Sequence, residues 1–119
     1  PCYLAASRMR GSGEPGKLLR EYAMMDHDLS KPIDIENATG CFMFIRTEVL
    51  KKIGGFDDGY FMYFEDADLA RRINEVSECI YYPDAVVNHV WGRESKRNLK
   101  LMLVHINSML RYFCKWKTI

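Results

Sequence analysis

The first half of the chain alternates between short hydrophobic runs and polar loops. Residues 1–33 are the least regular, with a short helix predicted at "KLLREYAMM" between the loops "RGSGEPG" and "DHDLSKP". The segment "IDIENATGCFMFI" predicts extended backbone, in which the apolar run Cys41–Ile45 is expected to form a buried strand. "TEVLKKIGG" then predicts a two-turn helix with Thr47 as its N-cap and Gly54 or Gly55 at its end.

The second half predicts longer helices. One is expected from Glu65 to about Val76, with acidic residues in its first turn and arginines further along, as the helix dipole favours. "CIYYP" and "AVVNHV" predict short strands separated by a turn at Pro83-Asp84. A final helix is expected from about Ser95 to Lys117, because apolar residues recur there every three or four positions, namely Leu99, Met102, Ile106, Met109, Phe113 and Trp116. These elements predict a mixed α/β fold.

The composition is that of an ordinary globular domain. The 119 residues are 48% hydrophobic and 28% charged, which argues against disorder and fits one modest core. No apolar run approaches the roughly 20 residues of a membrane span. The cysteines Cys2, Cys41, Cys79 and Cys114 contain no CxxC pair, which argues against a zinc site, although four cysteines can form two disulfides. A chain of this size does not need disulfides for stability, so we expect reduced thiols in a cytoplasmic protein. Because the chain opens with Pro1 instead of Met, we also expect a fragment or processed piece.

The formal net charge of +1 hides an uneven distribution. From Arg93 onward there are seven basic residues and one acidic residue, whereas the preceding 92 residues carry ten basic and fifteen acidic ones. This division predicts a cationic tail that meets an anionic surface, on the protein itself or on a partner. The apolar stripe of the final helix therefore has two interpretations. It closes the core beneath a basic rim, or it lies on an anionic membrane.

Three carboxylates, Glu65, Asp66 and Asp68, occur within four positions of "YFEDADLARR". The simplest interpretation is a helix start, at which each exposed acidic residue contributes about 0.3–1 kcal/mol. Helical geometry places Glu65 and Asp68 on one side and directs Asp66 elsewhere. One of the three can cap the helix and another can pair with Arg71 or Arg72. A carboxylate left free at this junction is suitably placed to accept a proton from a bound hydroxyl.

A longer pattern surrounds this cluster. "TGCFMFIRTEVLKKIGGFDDGYFMYFEDADLARRI", followed by "IYYPDAVVNHVWGRES", resembles the C-terminal half of the catalytic domain of family 2 inverting glycosyltransferases, in particular bacterial rhamnosyltransferase-like members. A Gly-Cys strand, an EDxDLxxR block and a His-x-x-Gly element, in this order over residues 39–95, carry the resemblance. It implies the C-terminal portion of a GT-A fold, with a mixed sheet, flanking helices and a long C-terminal helix.

The resemblance also implies roles for individual residues. Asp66 falls on the catalytic base, and Glu65 would position the base or the acceptor. Asp68 and Arg72 would belong to the helix scaffold and its ion pairs. His89 would help hold a divalent metal or the diphosphate.

Substrate contacts are expected from a glycine and two aromatic residues. Gly40 would let the backbone pass close to the substrate. Trp91 and Tyr63 either stack on a sugar or fill the core, and the sequence leaves both possibilities open. A non-catalytic carbohydrate-binding or interaction module, in which the acidic cluster only starts a helix, is the alternative function.

The implied reaction has a nucleotide-sugar donor, a polysaccharide or lipid-linked acceptor and a Mg²⁺ or Mn²⁺ ion, and it involves no nucleic acid. Such an ion neutralises the charge that develops on the leaving diphosphate. The resemblance implies that the nucleotide-binding half, with its Asp-x-Asp metal motif, lies upstream. Asp26-His27-Asp28 has the wrong setting for that motif and is predicted to be surface loop. Residues 1–119 are therefore expected to be one partial domain without transferase activity of its own.

Overall fold

The computed structural model describes residues 17–22, 24–88 and 98–117, and it divides the chain into two compact units, residues 1–32 and 33–119. Predictions for Cys2, His89 and Trp91 fall outside the described residues. In the first unit, helix α1 (Lys17–Tyr22) confirms the first part of the short helix predicted there.

A loop of turns follows α1 in the first unit. All three residues of Asp26-His27-Asp28 are exposed, as predicted for a surface loop. Asp26 pairs with Arg20, and Asp28 accepts hydrogen bonds from the amide and the hydroxyl of Ser30. The two carboxylates are thus bound locally.

The second unit has mixed α/β structure, as predicted. Strand β1 (Ile33–Asp34) precedes helices α2 (Thr47–Ile53) and α3 (Glu65–Asn74), and strand β2 (Ile80–Tyr81) precedes helix α4 (Leu99–Lys115). The two strands pair antiparallel, with Ile33 opposite Tyr81 and Asp34 opposite Ile80. Within the described ranges this pair is the whole sheet.

Local capping signals account for the helix boundaries. Gly54 adopts a left-handed φ of 80° at the end of α2 and donates its amide to Leu50, as a C-terminal glycine does. The predicted N-cap is wrong by one residue: Arg46 occupies that position and Thr47 is already helical. At the start of α4, the Asn98 side chain accepts the amide of Lys100 at 3.0 Å.

Two predicted strands are wrong. Cys41–Ile45 is neither a strand nor buried, since the Phe42 and Phe44 side chains are 53% and 96% exposed. Residues 85–88 are not a strand either, although the turn at Pro83-Asp84 is confirmed. In both places no neighbouring strand within the described residues offers hydrogen bonds, and an apolar run without such a partner has no sheet to enter.

The buried apolar residues lie on α3 and in the loop before it, namely Tyr60, Leu69, Ala70 and Ile73. Asn74 fastens the end of α3 to both strands, because its amide nitrogen donates to Ile35 at 3.1 Å and its oxygen accepts the Cys79 amide at 3.0 Å.

Helix α4 packs with only part of its predicted stripe. Met109, Phe113 and Trp116 are half-buried, whereas Leu99, Met102 and Ile106 are exposed. The loop and first turn of α3 contact mainly the second half of α4, so the interpretation that the stripe closes the core applies to that half. None of the helices in the described segments has the length and hydropathy that a membrane crossing requires.

Candidate active site

The three clustered carboxylates lie at the start of α3. The preceding residues, Tyr63 and Phe64, both have left-handed backbones, with φ of 70° and 66°. Phe64 occupies the N-cap position of α3, and its side chain makes no capping hydrogen bond. None of the three carboxylates is therefore the N-cap residue. The carboxylates of Glu65, Asp66 and Asp68 lie in three different environments.

Asp66 is held by backbone amides. Its Oδ2 accepts the Gly40 amide at 2.9 Å, and its Oδ1 accepts the Ala67 amide at 2.8 Å. The side chain is half-buried, and no ion pair with it occurs among the described residues. A carboxylate oxygen has two lone pairs, so each oxygen keeps one for a further proton or donor.

Gly40 lies close to Asp66, and the predicted passage of the substrate beside this glycine stays a prediction. A Cβ added to Gly40 would lie 3.4 Å from the Cβ of Asp66. Structure therefore brings together two of the predicted site residues that are 26 positions apart in sequence.

Glu65 has a partly buried side chain whose Oε2 is buried without a hydrogen-bond partner among the described residues. Burial raises the pKa of Glu65, and the negative charge of Asp66 raises it further, while the amide of Glu65 itself acts in the opposite direction. The environment thus makes ionisation of Glu65 less favourable than in water.

Asp68 is fully buried and fully bound. Its Oδ2 accepts Arg72 Nε at 2.8 Å, and its Oδ1 accepts Trp116 Nε1 at 3.0 Å and pairs with Lys115 Nζ at 2.8 Å. Arg72 also donates Nη1 to the carbonyl of Gly55 at 2.6 Å, at the end of α2. The predicted scaffold role of Asp68 and Arg72 is confirmed.

Tyr63 packs against α4. Its ring lies 4.8 Å from the ring of His105, edge to face. Burial lowers the pKa of His105, so the neutral imidazole is favoured at this contact. Packing is what the described residues show for Tyr63, and sugar stacking there stays a prediction.

A shallow groove opens beside the site. It has a volume of about 550 Å³ and is lined by residues 40–45 together with Leu50 and Phe56. Gly40 belongs both to this groove and to the contact with Asp66. One residue of the groove lining is therefore hydrogen-bonded directly to Asp66, the predicted base.

Asp57 is an important residue that sequence reasoning missed. It accepts Lys115 Nζ at 2.7 Å, Arg111 Nη2 at 2.9 Å and the Gly59 amide at 2.8 Å. These donors, Lys115 first, hold the pKa of Asp57 far below its usual range. The Asp-x-Gly spacing in "FDDGY" is a signal for the local turn, but no local signal indicates partners more than 50 residues away.

A metal site is not formed by the described residues. No group of three His, Cys, Asp or Glu side chains among them is arranged to hold an ion. The predicted ligand His89 lies outside that part of the chain, as does the predicted sugar contact Trp91.

Comparisons with known proteins give two partial relatives. Rhamnosyltransferase WbbL of Escherichia coli K12 is 30% identical over 83 residues, which are 68% of this chain and 31% of that protein. N-acetylglucosaminyl-diphospho-decaprenol L-rhamnosyltransferase of Mycobacterium tuberculosis is 38% identical over 52 residues, which are 43% of this chain and 17% of that protein. No protein-family model and no solved structure matches. The chain thus spans a third or less of these relatives, and the similarity supports a glycosyltransferase origin.

Proposed function

We propose that this chain is the acceptor-side part of an inverting family 2 glycosyltransferase domain of the GT-A type. The parent enzyme would transfer a sugar such as rhamnose from a nucleotide donor to a polysaccharide or lipid-linked acceptor. The donor-binding half would be supplied by sequence outside these residues, and the 119-residue chain alone would be inactive. The partial identity to two rhamnosyltransferases supports this proposal. The observation that carries it is the position of Asp66.

The proposed reaction is a single displacement. The acceptor hydroxyl oxygen attacks the anomeric carbon, the bond from that carbon to the donor diphosphate breaks, and Asp66 takes the hydroxyl proton. Two backbone amides orient the Asp66 carboxylate, and the described part of the chain places no cation against it. A group oriented in this way can meet an acceptor with little further reorganisation.

Glu65 is proposed to position the acceptor or the base. Its Oε2 is buried without a hydrogen-bond partner among the described residues, whereas both oxygens of the neighbouring Asp66 accept backbone amides. The two adjacent carboxyl groups therefore have different surroundings, which suits different roles.

The Mg²⁺ or Mn²⁺ ion stays part of the proposal through the resemblance alone. The described residues do not offer its ligands, so no step is assigned through it here. His89 would supply one ligand or a contact to the diphosphate, and Trp91 would contact the sugar.

Asp66→Asn in the full-length protein tests the assignment. Asparagine keeps the size of the side chain and an oxygen for the Gly40 amide, but it cannot take a proton. Loss of general-base catalysis predicts turnover lower by about 10²–10⁴-fold, with donor binding unchanged. The asparagine nitrogen cannot accept the Ala67 amide, so the free energy of unfolding should fall by about 1 kcal/mol, which leaves the protein folded. Asp58→Asn, an exposed aspartate in the preceding loop, is the matched control and should retain activity. Turnover near the wild-type value in Asp66→Asn would show that the base is elsewhere.

A carbohydrate-binding module remains the second candidate. The exposed rings of Phe42, Phe44 and Phe61 favour it, since aromatic faces are suited to stacking on sugars. It predicts saccharide binding, measured by calorimetry, that Asp66→Asn leaves intact while no transfer is detected in either protein.

Contact of α4 with an anionic membrane on the cytoplasmic side is also proposed. Leu99, Leu103 and Leu110 are 74%, 63% and 49% exposed on one face, and residues 99–115 include no acidic side chain. Such a face binds lipid through apolar insertion and charge attraction. Co-sedimentation with anionic vesicles should weaken as salt rises, and equal binding to neutral vesicles would contradict the proposed charge contribution.

A further inference from the structure

The turn immediately before the candidate base is held in an unfavourable conformation. Tyr63 and Phe64 are consecutive residues with φ of 70° and 66°. Bulky L-residues rarely adopt this region, because their side chains crowd the backbone there. A turn of this kind persists only when its surroundings determine it.

One face of α4 supplies those surroundings. Ser108, which is 3% exposed, donates its Oγ to the carbonyl of Met62 at 2.7 Å. The Phe64 ring lies 5.5 Å from the rings of both His105 and Tyr112. Positions 105, 108 and 112 are three and four residues apart, so they lie on the same side of the helix. The hydroxyl therefore binds the peptide group between Met62 and Tyr63, and the rings pack against the side chain of Phe64.

The same face of α4 also binds Asp68, which follows the Glu65-Asp66 pair in the sequence. Trp116 Nε1 and Lys115 Nζ bind Oδ1 of Asp68 at 3.0 and 2.8 Å. Asp68 lies two residues beyond Asp66 and is fully buried. Contacts with one helix therefore lie on both sides of the Glu65-Asp66 dipeptide, at Met62 before it and at Asp68 after it.

We propose that Ser108 is a positioning residue for the Glu65-Asp66 pair, an inference that rests on the proposed function of these carboxylates. Ser108 does not touch the groove or either carboxylate. Its bond to Met62 keeps Tyr63 and Phe64 left-handed, and this sets the direction in which α3 begins. Without the bond the turn relaxes towards ordinary φ values, and Asp66 moves away from the Gly40 amide.

Ser108→Ala in the full-length protein tests the inference. A displacement of about 1 Å at a reacting group can cost on the order of 10²-fold in rate, so we expect kcat to fall at least about 10-fold with KM for donor and acceptor within about twofold. Ser108→Ala removes a single hydrogen bond, which leaves the protein folded, and urea denaturation checks this. Ser77→Ala, at an exposed serine after α3, is the matched control.

Hydrogen exchange measured by mass spectrometry gives a second readout that does not depend on activity. Amides of residues 62–70 should exchange faster in Ser108→Ala, while those of α2 should not change. A folded Ser108→Ala protein with kcat within twofold of wild type, or with faster exchange spread evenly over all segments, overturns the positioning role.

The two proposals can fail separately. If Asp66→Asn abolishes turnover and Ser108→Ala does not lower it, only the positioning inference is wrong. If Asp66→Asn retains turnover, the base assignment is wrong, whatever the exchange of residues 62–70 shows.

Discussion

Replacing Asp68 by asparagine should destabilise the second unit strongly. The change keeps the volume of the side chain but replaces one carboxylate oxygen by an amide nitrogen, which is a donor. In the structure both oxygens accept only: Oδ2 from Arg72, and Oδ1 from Trp116 and Lys115. In either orientation the new amide nitrogen therefore faces a donor, and a bond on that side is lost.

The magnitude follows from the burial of each group. Removing one partner of a buried ion pair costs about 3–5 kcal/mol. Asp68 itself is 0% exposed, but Arg72 keeps the carbonyls of Ile53 and Gly55, and Lys115 is 32% exposed and keeps Asp57. These remaining partners place the expected loss at the lower end, about 3 kcal/mol.

The assay is urea denaturation of wild type and Asp68→Asn. The midpoint should fall with an unchanged slope, because the surface exposed on unfolding stays the same. Asp58→Asn is the matched control, and a surface change of this kind should lie within about 0.5 kcal/mol of wild type. A loss below about 1 kcal/mol in Asp68→Asn, comparable with a single neutral hydrogen bond, would refute the argument that this buried carboxylate fastens α4 to α3.

Three further predictions concern other carboxylates and Gly40. Because Lys115 leads the donors that depress the pKa of Asp57, the stability gained from Asp57 is present at neutral pH and is lost as the pH falls below 3.8. Asp57→Asn should therefore flatten the acid limb of the stability profile measured by thermal unfolding. The raised pKa of Glu65 has the opposite sign, so wild-type stability should decline as pH rises above 4.5. Glu65→Gln should remove that decline, and an unchanged profile would show that the carboxyl is solvated. At Gly40 φ is not positive and an added Cβ makes only an ordinary contact with Asp66, so Gly40→Ala should change the free energy of unfolding by no more than about 0.5 kcal/mol. A fall in turnover of the full-length protein without loss of stability would then support the predicted close passage of substrate.

Local signals predict the helices well for a physical reason. Gly54 ends α2 because a residue in the left-handed conformation closes the last turn, and glycine is the residue type that most often adopts this conformation at a helix end. The end of α3 was predicted within two residues from its charge pattern alone. The prediction of a buried strand at Cys41–Ile45 is wrong because burial of an extended run depends on a neighbouring strand that is distant in sequence.

The candidate site shows the same division. The sequence indicates that Asp68 can pair four positions along the helix with Arg72, and the structure contains that pair. The bonds from Asp68 to Trp116 and from Asp57 to Lys115 join positions 48 and 58 residues apart, and no short pattern predicts them. The left-handed pair Tyr63-Phe64 is equally hidden, since neither residue favours that conformation.

The three carboxylates of "YFEDADLARR" are therefore separated by their surroundings rather than by their residue type. The Asp68 carboxylate is buried, binds three donors and takes part in the packing of α4, so its replacement should affect stability first. Within the described part of the chain Asp66 is bound only through backbone amides, which orient a carboxylate without neutralising it, so its replacement should affect turnover first. Opposite phenotypes at two positions of one short motif are a stricter test than either substitution alone, because a general loss of folding cannot produce both.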